Sequence, residues 1–465
     1  MKKFAKILVS LLCAAIFAVP ALTACDNGND DKTPTTNTPP DNTPTEAVDY
    51  VSQLKFNKNS DTKKAEVTVR LYVDGDTTHF DPVGGSSEFS DTQGYIKARY
   101  LAINTPESTG KIEEWGKAAS KFTRSKLESA ESIYIESDDS NWNLDSTGGR
   151  YLLWIWYKPQ GASEYRNLNV EILQEGYALA SATASGRYGS VATQALEQAR
   201  KQKLHVYSGE KDPDFYYGDA IPLTMKELRC HIAEYDGTKV AVEGVIVGMH
   251  SNTAYVEDYD EDEGICFGIS VYYGATASGD ILGMSKIGNR VRYVGTVSYY
   301  EAGGTYQISG VSYNAFKPEL TTNSKLISEG HESTLAEIDV TKLNDNLTIN
   351  FETEKDDNTV EVEEVTIKLG EAMMSTSVAL NDLEVLEVYT TDNGGNSDGA
   401  MSLTCQTKGG ATIVVRTAVL KAKNGKTVTA DAFDGKTISV KGIIDKFKNT
   451  YQVFCYSMSQ ITIAD

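Results

Sequence analysis

Apolar and polar residues alternate along Val67-Thr68-Val69-Arg70-Leu71-Tyr72-Val73, the period of a half-buried strand, and the run ends in the tight-turn sequence Asp74-Gly75-Asp76. A second alternating run, 95–103, sets Lys97, Arg99, Leu101 and Ile103 on one face. An arginine sharing a face with two aliphatic residues is costly to bury unless an anion awaits it. Between 113 and 127 the period becomes helical, with Trp115, Ala118, Ala119, Phe122 and Leu127 as the apolar positions. Strands over 132–136 and 150–157 and a helix over 191–202 complete this region.

The C-terminal half reads as strands. Runs at 239–249, 253–257 and 266–273 precede a short helical stretch at 280–286. An internal repeat follows: Gly288-Asn289-Arg290-Val291-Arg292-Tyr293-Val294-Gly295 ending at Tyr306-Gln307-Ile308, and Gly435-Lys436-Thr437-Ile438-Ser439-Val440-Lys441-Gly442 ending at Tyr451-Gln452-Val453. Three strands, a helix and two strands is an OB-type order. The second copy recruits 383–389, 401–406, 411–417 and 437–463, and residues 320–372 read as a separate β element. Tyr272, Tyr273, Tyr299 and Tyr300 are candidates for stacking on bases, although tyrosine is also an ordinary strand residue.

The first residues are of another kind. Lys2 and Lys3 precede an apolar run, 7–19, too short for a stable span, and then comes Leu22-Thr23-Ala24-Cys25. This resembles a bacterial lipoprotein signal, which implies removal of 1–24 and acylation of Cys25. Residues 26–45 are Asp, Asn, Thr and Pro with almost no apolar side chain, so the stretch 25–60 is expected to be a disordered tether to the membrane.

Charge and cysteines narrow the picture. The formal net charge of -21 excludes a chain that grips a polyanion with its whole surface. Between Glu66 and Tyr207, however, 15 Lys and Arg face 19 Asp and Glu; the remaining 29 against 46 carry most of the excess. Any hold on nucleic acid must therefore be local or metal-assisted. Cys230, Cys266, Cys405 and Cys455 show no zinc spacing, and both disulfides and buried free thiols are compatible with them. The acidic run 258–264 starts like a calcium loop, but its glycine is one position late and Ile269 stands where a bidentate Glu belongs, so it reads as a solvated turn.

Candidate chemistry gathers in one stretch. Val73-Asp74-Gly75-Asp76-Thr77, Arg99-Tyr100-Leu101-Ala102-Ile103-Asn104-Thr105-Pro106-Glu107, Trp115-Gly116-Lys117-Ala118-Ala119, Gly149-Arg150-Tyr151-Leu152, and Asn169-Val170 before Glu175-Gly176-Tyr177-Ala178 resemble the staphylococcal-type thermonuclease family in order and spacing. The resemblance implies an OB-type five-stranded barrel with helices over 61–209; with the strand order of the C-terminal half, the fold is expected to be mainly β with α elements, the barrel being followed by an OB-like β-barrel module at 210–319 and by the β element and a second OB-like module at 320–465. It further implies a calcium-dependent endonuclease acting on DNA and RNA and leaving 3′-phosphate ends. Asp76 and the Thr105 carbonyl would be Ca²⁺ ligands, Glu107 would hold or deprotonate the attacking water, and Arg99 and Arg150 would brace the phosphate.

Two positions depart from the family pattern. Asn104 replaces an aspartate ligand, which keeps an oxygen and loses a charge, so calcium affinity should fall; extracellular sites with dissociation constants of roughly 10⁻⁴ to 10⁻³ M still fill outside the cell. The tyrosines expected to contact the nucleotide are absent around Ala182 and Ala184, leaving Tyr188 as a candidate nucleic-acid contact. Asp74 and Lys97 are read as structural or solvated. The expectation is thus a nuclease lipid-anchored at Cys25 outside the membrane, with a catalytically weak nucleic-acid-binding surface lipoprotein as the alternative.

Overall fold

A computed structural model describes residues 47–464, apart from 86–88, 90–94, 148, 275–278, 302, 315–316, 318, 355–358 and 393–396. The expected signal, Cys25 and the first part of the tether lie outside these residues. Strands β1 (Lys64–Tyr72), β2 (Thr77–Pro82) and β3 (Ile96–Tyr100) form an antiparallel meander. Helix α1 (Gly116–Glu128) then crosses to β4 (Ala130–Glu136) and β5 (Tyr151–Pro159). β5 pairs parallel to β3 and antiparallel to β4, and β4 returns to β1, which closes a five-stranded barrel. Helices α2 (Leu168–Gln174) and α3 (Gly189–Gln202) pack beside it.

Aromatic bulk fills this barrel. Trp154 and Trp156 are fully buried, and each indole of that size removes on the order of 200 Å² from water. Their polar edges are satisfied: Trp154 donates to Asp138 at 2.8 Å and Trp156 to Glu136 at 2.7 Å. Buried Glu136 also accepts from Thr62 and Tyr188.

The same strand order recurs twice. β6 (Lys239–His250), β7 (Thr253–Asp260), β8 (Ile265–Tyr272), β9 (Arg290–Tyr300) and β10 (Thr305–Ser309) pair as 6-7-8-10-9-6, with the 8–10 contact parallel. β11 (Ser377–Thr390), β12 (Met401–Gln406), β13 (Thr412–Thr417), β14 (Thr437–Phe447) and β15 (Thr450–Cys455) repeat the cycle. The sequence repeat thus marks the fourth and fifth strands of two barrels. A hairpin, Asn346–Glu354 with Val360–Lys368, is the β element expected between them. The strand Lys325–Ser328, grouped from sequence with the third barrel, pairs instead with β9 of the second.

Other expectations shift. Residues 48–60, assigned to the tether, are partly core: Val51 and Leu54 are buried, and the Phe56 ring lies 5.0 to 5.3 Å from those of Tyr134, Trp156 and Tyr165. Three apolar residues spaced two or three apart suffice to dock a polar segment on an open hydrophobic edge. The run 95–103 is not one strand. It breaks after Tyr100, Ala102 turns at φ 71°, and Ile103 enters the core while Arg99 stays on the outer face. All four described cysteines are free thiols. Within the acidic turn, Lys226 pairs with Asp260 and Glu263, and Arg290 pairs with Asp258.

Residues 48–465 form one compact unit, and buried polar contacts join the barrels. Arg229 of α4 (Met225–Cys230) donates to the Glu371 carbonyl. Glu257 of β7, only 3% exposed, accepts from the Ser377 amide at 2.7 Å, the Ser377 hydroxyl at 2.9 Å and the Thr334 amide at 3.2 Å. Glu257→Ala strips an acceptor from three donors and is expected to lower unfolding free energy by about 1–3 kcal/mol, since an unmet buried donor costs its desolvation. Denaturant unfolding checks this, and an unchanged midpoint would show that the join does not depend on Glu257.

Candidate active site

The Asp74-Gly75-Asp76 turn links β1 to β2 and lies under α1. A Cβ on Gly75 would stand 2.8 Å from Thr105 Cγ2 and 2.9 Å from Ala119 Cβ, so only glycine lets the turn, the Thr105 segment and the helix meet. Thr123 of α1 fixes the contact by donating to the Gly75 carbonyl at 2.6 Å. Asp74 is nearly buried and accepts from the Asp76 amide at 3.1 Å, which bends the turn.

Asp76 is at the centre, 1% exposed. One carboxylate oxygen accepts from the Thr105 amide at 2.7 Å, and the other accepts from the Thr77 hydroxyl at 3.1 Å and pairs with Arg99. The Arg99 guanidinium also donates to Asn104 Oδ1. The register Thr77↔Arg99 brings the two strands' residues together, although Tyr100, whose amide donates to the Asp76 carbonyl at 2.9 Å, lies 24 positions further along the chain than Asp76.

Glu107 sits on the loop leading to α1. A Cβ on Gly116 would overlap the Glu107 carbonyl, so the glycine after Trp115 permits the loop to lie against the helix start. Glu113 returns a pair of bonds: its amide donates to the Glu107 carbonyl at 2.9 Å and its carboxylate accepts from the Glu107 amide at 3.1 Å. The Trp115 amide donates to buried Asp212 at 2.6 Å, which anchors the loop's far end. On the other wall, Arg150 at the start of β5 donates to Asp145 at 2.7 Å across a tight turn.

Electrostatics link these side chains. Glu107 opens to solvent, yet desolvation by the protein wall raises its carboxyl above the ordinary glutamate range, and the Asp74 carboxylate adds to this while Arg99 opposes it. Burial raises the Asp74 carboxyl, again against Arg99. Burial presses the Arg99 guanidinium downward; Asp74 opposes this, and Arg150 adds to it. Burial alone would raise Asp145, but hydrogen bonds from Thr147 and Arg150 bring it down to about 2. The result is one polar cluster of two guanidiniums and several carboxylates.

Asp76, Arg99, Asn104 and Thr105 are joined directly, and Glu107 and Arg150 complete the cluster through its field. Asp145 and the buried role of Asp74 were not evident from sequence; the signal for Asp145 was its place five residues before Arg150 across Gly149. Tyr188, the candidate nucleic-acid contact, is half-buried: its hydroxyl donates to Glu136 at 2.8 Å and its ring packs edge-on against Trp154 and Trp156.

The donor set suits a hard cation in kind, since the Asp76 carboxylate, the Asn104 amide oxygen and the Thr105 carbonyl are all oxygens. The guanidinium bridging Asp76 and Asn104 shows that these oxygens already collect around positive charge. Among the described residues no group of three or more His, Cys, Asp or Glu side chains could hold a metal, so such a site would also need amide and carbonyl oxygens.

Gly75→Ala is expected to abolish most activity, because its methyl group must push Thr105 from Asp76, and to cost about 1–3 kcal/mol of stability as an overpacking change. Turnover and denaturant unfolding measured together check it; near-parental turnover would mean that the contact does not set the site. No curated protein matches the chain. Residues 97–208, which carry Arg99, Asn104, Thr105, Glu107 and Arg150, match the family model described as staphylococcal nuclease homologue.

Proposed function

We propose that this protein is a calcium-dependent nuclease that hydrolyses phosphodiester bonds of DNA and RNA, and that Cys25 tethers it by a lipid outside the cytoplasmic membrane. The observation that carries the reading is the convergence of Asp76, Arg99, Glu107 and Arg150 at one mouth of the first barrel, the last three within the segment that matches the nuclease-homologue family model. The lipoprotein-like start supports the outside location, where a calcium site weakened by Asn104 can still fill. Cleavage inside a strand, leaving 3′-phosphate ends, follows from the family resemblance.

The chain's own groups divide the work. Arg99 and Arg150 exchange their carboxylate partners for phosphate oxygens and stabilise the charge that develops there. Glu107, with a raised carboxyl, holds the attacking water and accepts its proton. Asp76, Asn104 and the Thr105 carbonyl would hold Ca²⁺, which would supply Lewis-acid polarisation of the phosphate. Asp74 and Thr123 keep the turn in place and touch no substrate.

The purified chain incubated with DNA in Ca²⁺ should cut it, and chelator should stop the cutting; no calcium-dependent cutting would sink the enzyme reading in favour of a binding lipoprotein. Glu107→Gln should lower turnover by about 10²–10⁴ through loss of the base, and Arg150→Ala by about 10²–10³ through loss of charge stabilisation. Circular dichroism must show both folded, and near-normal rates would remove them from the active site. Asn104→Asp should reduce the calcium concentration needed for half-maximal cutting, because a carboxylate replaces an amide at the ion; an unchanged requirement would mean that Asn104 is no ligand.

A further inference from the structure

A cleft of about 630 Å³ opens where the three barrels meet, and its lining continues the outer face of the strands that carry the active site. On β3, Lys97 lies two residues from Arg99 on the same face, about 7 Å along the strand. Across the ladder, His79 pairs with Lys97 as Thr77 pairs with Arg99. The β1 ladder shifts register between Val69 and Leu71, a bulge that re-aims Arg70. Tyr95 is the hub of this strip: the Arg70 guanidinium is 4.6 Å, the His79 ring 5.2 Å and the Lys97 ammonium 5.5 Å from its ring centre.

The opposite wall comes from the other two barrels. His250, at the end of β6, stacks on Tyr456 with ring centres 5.9 Å apart and meets the edge of Phe454 at 5.4 Å. Arg416 of β13 is half-buried, and its guanidinium donates to the hydroxyls of Ser402 at 3.1 Å and Thr391 at 3.0 Å, which do not neutralise it. Two carboxylates stand beside these cations: Asp81 pairs with Arg70 at 3.0 Å, and Asp445, buried under Gln452, which donates to it at 2.7 Å, lies in the field of Arg416. With Lys97, three cations meet these two carboxylates, so in a chain of net charge -21 this strip is locally the less acidic part, and it is lined with rings.

We propose that the cleft between the barrels is a binding groove for single-stranded nucleic acid, which leaves the active site along Lys97 and Tyr95 and stacks its bases between Tyr95 and the His250–Tyr456 pair while Arg70 and Arg416 hold its phosphates. The direction of the strand rests on the nuclease reading; the groove itself does not. Cations beside aromatic rings are the combination that binds single strands without reading sequence, each stacked base contributing about 1–3 kcal/mol. A duplex keeps its bases paired and cannot offer them to these rings. The two imidazoles fit the same picture: burial, then Lys97 and Arg70, push His79 down to about 4, and burial lowers His250, so both are neutral stacking surfaces in a positive field.

The test uses the full chain in chelator, so that nothing is cut, and a fluorescein-labelled oligothymidylate of about 15 nucleotides, within the span of one to two OB-type sites. Anisotropy should show binding that a DNA duplex of equal length competes for poorly. Arg416→Gln and Arg70→Gln, both retaining hydrogen-bonding side chains, should each weaken it several-fold and reduce the slope of log affinity against log salt by about 0.7 per lost phosphate contact. As a readout independent of substitution, the His79 imidazole followed by NMR should titrate at higher pH when the oligonucleotide is bound, because phosphate offsets Lys97 and Arg70. Parental affinity and salt slope in both variants, an unmoved His79, or equal competition by duplex would each overturn the groove. A chain that cuts DNA yet shows these outcomes loses the groove and keeps the nuclease; one that binds as described without cutting does the reverse.

Discussion

The site depends on one close approach, that of the Gly75 backbone to Thr105 and Ala119. Here the first interstrand turn, the loop after β3 and helix α1 come into van der Waals contact, and any side chain would hold them apart. Thr123 locks the approach from the helix and the Thr105 amide locks it from the loop, by donating to Asp76. Gly116 repeats the device one loop later, beneath Glu107. Each glycine adds no chemistry of its own, yet both decide where the chemical groups stand.

Charge placement follows from the same geometry. Asp76 is almost wholly buried and survives there because Arg99, Thr77 and the Thr105 amide satisfy it. Arg99 in turn is affordable on the outer face because carboxylates surround it. The cluster therefore sets two guanidiniums among carboxylates at the mouth of the barrel in a molecule that is strongly acidic as a whole. Local concentration of cations on one strip, and not overall charge, is what an acidic protein can offer a polyanion.

Three barrels with one strand order share the chain, and their differences lie in what they present. The first exposes the polar cluster; the second and third contribute walls. Contacts such as Glu257 with Ser377 and Arg229 with Glu371 are buried and hydrogen-bonded, so the modules meet as parts of one body. Such a join makes a surface shared among barrels definite enough to bind something, in a way that flexibly strung modules would not.

Much of this was legible in the residues. Period-2 runs ending in turns marked the strands, the glycine-bounded repeat marked the last two strands of two barrels, and Asp76, Arg99, Asn104, Thr105, Glu107 and Arg150 stood in recognisable local order. Local order is enough for these because each is set by its neighbours in sequence: a turn, a strand face, a loop before a helix. Sequence did not settle where the strand 95–103 breaks, that Val51 and Phe56 belong to the core, that Asp145 holds Arg150, or that Tyr188 serves Glu136 in the barrel core. Each of those depends on which residues distant in the chain become neighbours once the barrel closes. The cleft between barrels is the extreme case, since Arg70, His250 and Arg416 lie on three separate sheets, and only packing brings their side chains to one space.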